Sequence, residues 1–147
     1  MSRGLAVALG IAAGGLVATQ APINSRLGRS VGTAQAATVS FLVGTVALVA
    51  LASLWSGGLG GLSGISHAPW WALIGGLLGA VYVTVALVAV RTLGASGLTA
   101  VVITGQLAMS VAIDRFGLLG IAKQHVGVTR IVGLMLLVAG VVLVVRK

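Results

Sequence analysis

The stretch Ala34-Gln-Ala-Ala-Thr-Val-Ser-Phe-Leu-Val-Gly-Thr-Val-Ala-Leu-Val-Ala-Leu-Ala-Ser-Leu54 carries no charged side chain from end to end. As a helix rising 1.5 Å per residue, it is long enough to cross the roughly 30 Å hydrocarbon core of a bilayer. A soluble helix keeps a polar face for water, and this one has no charge to place there. Comparable runs lie on both sides of it. Upstream, one begins at Leu5, reaches Ala21 and continues past Pro22 to Leu27. Downstream, Pro69-Trp70-Trp71 opens a third run to Val90, with proline suited to a first helical turn and interfacial aromatics after it. A fourth stops at Asp114-Arg115 and a fifth at Arg146-Lys147. The chain is expected to be an all-α integral membrane protein with one transmembrane domain over 1–147. Its five transmembrane helices fall at approximately 5–27, 34–54, 70–90, 98–113 and 129–145. The Gly/Ser-rich stretch Ser56 to Ser66 reads as an exposed loop.

Composition supports this. Of 147 residues, 59% are hydrophobic and 7% are charged, and the mean hydropathy is +1.19. A soluble domain carries roughly 25% charged residues to solvate its surface. Ser2-Arg3 before Leu5–Leu16 resembles a secretory signal, but apolar runs recurring to the C-terminus exclude that account of the whole. Alternating ten-residue segments, the mark of a membrane barrel, are absent. The net charge is +8, yet the bases stand singly between apolar runs, so lipid headgroups rather than nucleic acid are the expected partners. No cysteine is present, and two histidines with one carboxylate make no conventional metal site. Neither a nucleophile–base–acid set nor a phosphate-cradling loop is visible, so no cofactor and no enzyme activity are expected.

The Lys/Arg distribution bears on orientation. Five spans place Arg3, Arg115, Lys123 and Arg130 on one side and Arg26, Arg29, Arg91, Arg146 and Lys147 on the other. Four against five gives almost no positive-inside bias. A chain without bias can insert both ways, and two opposed copies can pair about an axis in the membrane plane, as inverted repeats do. The expectation is a dual-topology, antiparallel homodimer. A fixed orientation set by loop length is the alternative.

Polar residues within spans are costly and mark candidate sites. At about 100° per residue, Thr99, Gln106, Ser110 and Asp114 fall within roughly an 80° sector of the fourth helix. Gln106, near mid-membrane, can both donate and accept; the alternative is a Gln bond that joins two helices. Gln20 and Asn24 bracket Pro22, where a kink can line a site; the alternative is that Asn24-Ser25-Arg26 is simply the helix end at the headgroups. Tyr82 follows Gly75 and Gly79 on one face of the third helix, as a ligand wall or in plain packing. Asp114, the sole carboxylate, is the candidate for ion or proton coupling; a pair with Arg115 or a helix cap is the cheaper account. Arg91 reads as a snorkelling anchor. Glycine pairs four apart, Gly10/Gly14 and Gly75/Gly79, let helices approach closely, and Gly133 and Gly140 share one face of the fifth helix.

The segments Gln20-Ala-Pro-Ile-Asn-Ser-Arg-Leu-Gly-Arg29 and Val39-Ser-Phe-Leu-Val-Gly-Thr45 resemble the first two helices of the YdcZ-like (EamA-type) branch of the drug/metabolite transporter superfamily. Gly75-Gly-Leu-Leu-Gly-Ala-Val-Tyr82, Gly105-Gln106 and Asp114-Arg-Phe-Gly117 resemble its third and fourth helices. Gly133-Leu-Met-Leu-Leu-Val-Ala-Gly-Val141 is similar to last helices across the superfamily, including the small multidrug resistance proteins. The resemblance covers nearly the whole chain. It implies a five-helix half-transporter of the bacterial inner (plasma) membrane, multi-pass, pairing with an inverted copy or fused as ten helices. It implies that Gly133 and Gly140 pack the dimer. The small multidrug resistance proteins carry a first-helix glutamate; Leu5 to Leu27 has no carboxylate, which puts proton antiport and cationic-drug binding in doubt.

These expectations combine into a small secondary-transporter subunit moving a small polar or organic solute by alternating access. Gln20, Asn24, Tyr82, Gln106 and Ser110 are its substrate-binding candidates. The rivals are a dual-topology small anion channel and a non-transporting structural membrane subunit.

Overall fold

The computed structural model describes residues 1–54 and 58–146; Ser56, the start of the expected loop, and Lys147, one of the counted bases, lie outside them. The described residues are all helical or irregular, without strands. Helix α1 spans Arg3–Val31 and α2 spans Thr33–Leu54. Two 3-10 helices, Gly58–His67 and Trp70–Ile74, precede a long helical run, Gly75–Phe116. Gly94 leaves helical geometry inside that run (φ 70, ψ 173), dividing it into α3 (75–93) and α4 (95–116). Helix α5 spans Val128–Val145.

Among the described residues, four continuous helical segments are long and apolar enough to cross a membrane: Arg3–Val31, Thr33–Leu54, Trp70–Phe116 and Val128–Val145. The third has 47 residues, about 70 Å as one straight helix and more than twice what a crossing needs. Its break at Gly94 brings the number of helices to five.

Boundaries differ from the sequence expectation where local chemistry overrides composition. Helix α1 runs on to Val31 because Asn24 and Ser25 turn inward and are buried, so the polar triplet Asn24-Ser25-Arg26 does not end it. Gly32 ends it. With φ 95, this single residue joins α1 to α2, and a β-carbon there would lie 2.5 Å from the Gln35 Oε1. Helix α4 passes Asp114-Arg115 and stops at Gly117, which takes the left-handed conformation of a helix terminus. The segment from Gly58 to His67, expected as loop, is an exposed 3-10 helix. Trp70–Ile74 is also 3-10, so the α-helix begins at Gly75 rather than at the tryptophans.

The chain forms two compact units, Met1–Arg91 and Thr92–Lys147. In the first, one face of α1 (Ala21, Asn24, Ser25, Gly28) is buried, as are Ala36 and Ala37 of α2 and one face of α3 (Val83, Ala86, Leu87, Val90). The spacings 0, 3, 4, 7 on α1 and α3 are those of a helix laying one stripe against neighbours. Most contributors are small, which lets backbones approach where lipid offers no hydrophobic drive. In the second unit Gly97 is buried, and a β-carbon there would meet Leu93 Cβ at 3.3 Å and Val145 Cγ2 at 3.8 Å. The start of α4 therefore meets the end of α5. Elsewhere large apolar side chains face outward, among them Leu16, Val46 and Leu143. Lipid is the solvent that tolerates them.

Candidate functional site

The polar residues singled out in sequence divide between the two units. In the first, Gln20 and Asn24 of α1 and Tyr82 of α3 line one crevice with Ala21, Val83 and Ala86. Asn24 is only 6% exposed, so its amide forms the floor, and Gln20 stands at the exposed lip. The crevice encloses no volume large enough for a water molecule. A solute would have to part α1 from α3 or lie across the mouth.

A roomier groove of about 400 Å³ lies between α2 and α3, lined by Thr38, Phe41, Thr45 and Thr84 among others. Its polarity is muted. Thr38 Oγ1 donates to Ala34 O (3.0 Å) and Thr84 Oγ1 to Ala80 O (2.8 Å), so both protons are engaged within their own helices. Phe41 also contacts Gly79, 3.4 Å from where a β-carbon would stand.

In the second unit, Leu107, Ser110, Val111 and Asp114 of α4 face Arg130, Gly133 and Leu137 of α5 across a groove of about 480 Å³. The four α4 residues repeat the 0, 3, 4, 7 spacing of a single face. One end of the groove is apolar and the other charged. Arg130 Nη1 donates to Asp114 Oδ2 at 2.9 Å, and Nη2 to Gln124 Oε1 at 3.3 Å. Gln124 in turn donates its backbone N–H to the Asp114 carbonyl at 2.8 Å. These bonds tie the α4–α5 connection together. Asp114 thus pairs with Arg130, not with the adjacent Arg115, and stays half-buried. Gln106 is exposed and lies outside the residues lining this groove. Thr99 Oγ1 donates to Ala95 O at 2.8 Å within α4.

Gly75, Gly133 and Gly140 have open space where a β-carbon would be. No described residue comes within 4 Å of those positions. Helices do approach closely at Gly28, where a β-carbon would come 2.7 Å from Leu87 Cδ2 and 3.0 Å from Arg91 Nη2. Arg91 also donates from Nε to Ser25 Oγ at 3.1 Å. Sequence reasoning passed over Gly28, Ser25, Gln124 and the pairing role of Arg130. A signal for Arg130 existed: a lone base in the first turn of an apolar span, in a chain with one carboxylate, invites that pairing.

No curated protein and no solved structure matches the chain at a significant level. The sequence profile of one family, described as "Putative inner membrane exporter, YdcZ", matches residues 5–143. With the match covering nearly all of it, the chain belongs to the YdcZ family, as a multi-pass helical membrane protein of a transporter family rather than an enzyme family.

Proposed function

We propose that this chain is half of a secondary transporter, acting as an antiparallel pair of identical copies that exports a small polar or organic solute by alternating access. The observation that carries the reading is Gln106, an exposed amide on a helix otherwise rich in apolar residues. In hydrocarbon an amide without partners costs several kcal/mol. A second copy, or the solute between copies, removes that cost. Ser110, exposed on the same helix, and Gln20, exposed on α1, add to the same demand.

Support for the inverted arrangement comes from the four-to-five split of Lys/Arg and from the open faces at Gly133 and Gly140. Opposed copies generate a twofold axis in the membrane plane, about which the two halves exchange inward and outward openings. The proposed solute contacts are Gln20, Asn24 and Tyr82 in the first unit, where α1 and α3 must part to admit a solute, and Gln106 and Ser110 in the second. Asp114 supplies the coupling: its carboxylate is shared between Arg130 and a proton or substrate entering the α4–α5 groove. The family description supports export from the cytoplasm across the inner membrane.

The test is Gln106→Ala in reconstituted vesicles. Specific solute flux is expected to be lost while the dimer, followed by crosslinking, persists. Full flux by this variant removes Gln106 from the site.

A further inference from the structure

Arg91 lies where the end of α3 packs on α1. Its Nε donates to Ser25 Oγ at 3.1 Å, and Ser25 is 5% exposed. Gly28, nearly one turn along α1, leaves room for the guanidinium, since a β-carbon there would stand 3.0 Å from Nη2. One edge of the guanidinium is therefore pinned to α1 while the residue as a whole remains exposed. An ordinary snorkelling arginine is tethered only by its stem. This one is oriented, with the N–H groups of its two Nη atoms left as a planar fork.

The sequence offers it no free Asp or Glu side chain. The only Asp or Glu in the sequence is Asp114, and Arg130 holds that at 2.9 Å. Positive charge accumulates instead, because Arg26 and Arg29 stand exposed on the last two turns of α1, with Arg29 one turn beyond Ser25.

We propose that Arg91, fixed by Ser25 over Gly28, is the bidentate contact of an oxyanion site at the α1–α3 end of the first unit, and that it takes a phosphate oxyanion. A planar fork matches two phosphate oxygens in a way that a lysine ammonium does not. Pinning Nε beforehand lowers the ordering cost of binding. Ser25 is a positioning residue: it touches the guanidinium, not the anion. The phosphate comes either from the headgroup of an anionic phospholipid or from a soluble phosphate, and the chemistry at Arg91 is the same for both. The site is independent of the transport reading above.

The test uses the full chain in nanodiscs of phosphatidylcholine, with or without phosphatidylglycerol. Retained lipid is measured by native mass spectrometry, and thermal unfolding is followed with inorganic phosphate against chloride at equal ionic strength. Preferential retention of phosphatidylglycerol assigns the lipid source; a phosphate-specific upward shift in phosphatidylcholine alone assigns the soluble one. Either effect is expected to fall about tenfold in Arg91→Lys, the scale of one charge-assisted bond. It is expected to fall several-fold in Ser25→Ala and to hold in Arg26→Lys. Neither effect in the wild type, an unchanged effect in Arg91→Lys, or an equal loss in Arg26→Lys overturns the proposal. Should Arg91→Lys fail to fold, Ser25→Ala decides: a several-fold loss supports the site and wild-type binding overturns it.

Discussion

Leu87 lies over Gly28 so closely that a β-carbon on that glycine would come within 2.7 Å of its Cδ2. Leu87 is fully buried, so its methyl has nowhere to swing. Gly28→Ala is therefore expected to destabilise the subunit by about 1–3 kcal/mol, the usual cost of overpacking. Unfolding in mixed micelles with increasing dodecyl sulfate, followed by circular dichroism, measures it. Gly133→Ala and Gly140→Ala, which meet open space, are expected to hold or slightly raise subunit stability, as alanine does in a helix. Equal losses at all three positions would show that Gly28 is no special contact.

Gly94 combines φ 70 with ψ 173, a region that essentially only glycine occupies. Gly94→Ala is expected to cost about 1–3 kcal/mol and to lower the thermal midpoint. Gly76 is helical with open space around it, so Gly76→Ala serves as the control and should leave the midpoint in place or raise it. A Gly94→Ala midpoint equal to wild type would mean that the break between α3 and α4 does not need this conformation.

The Asp114–Arg130 pair is partly open to solvent, with side-chain exposures of 26% and 48% respectively. Pairs of this kind contribute between zero and about 1 kcal/mol. Asp114→Asn should thus lower stability by less than about 1 kcal/mol and leave the fold intact. Its expected effect is functional: flux in vesicles should no longer respond to an imposed proton gradient. A gradient response that survives the substitution removes Asp114 from coupling.

The helical membrane architecture was legible because a run such as Ala34–Leu54 has no charge to offer water. Helix α5 fell within a residue of its expected limits because apolar composition alone defines it. Charges and polar triplets proved poorer punctuation. On one of two readings Asn24-Ser25-Arg26 is a helix end, yet Asn24 and Ser25 are packed inside the first unit and Gly32 makes the turn. Glycine spacing marks surfaces where close approach is available, but which one is used depends on the neighbour. Gly28 meets Leu87, whereas a β-carbon at Gly133 or Gly140 would meet none of the described residues within 4 Å. Asp114 suggests Arg115 as partner because it is next in sequence. Consecutive helical side chains diverge by about 100°, and it is Arg130, across the α4–α5 connection, that reaches it.

An antiparallel pair of identical copies requires that copies insert in both orientations. With no native cysteine, one cysteine at Ser2, or one appended after Lys147, can be labelled in intact cells with an impermeant maleimide. The proposed five crossings would put these positions on opposite sides of the membrane, so dual insertion predicts that about half the copies label at each. Complete labelling at one terminus and none at the other would contradict it.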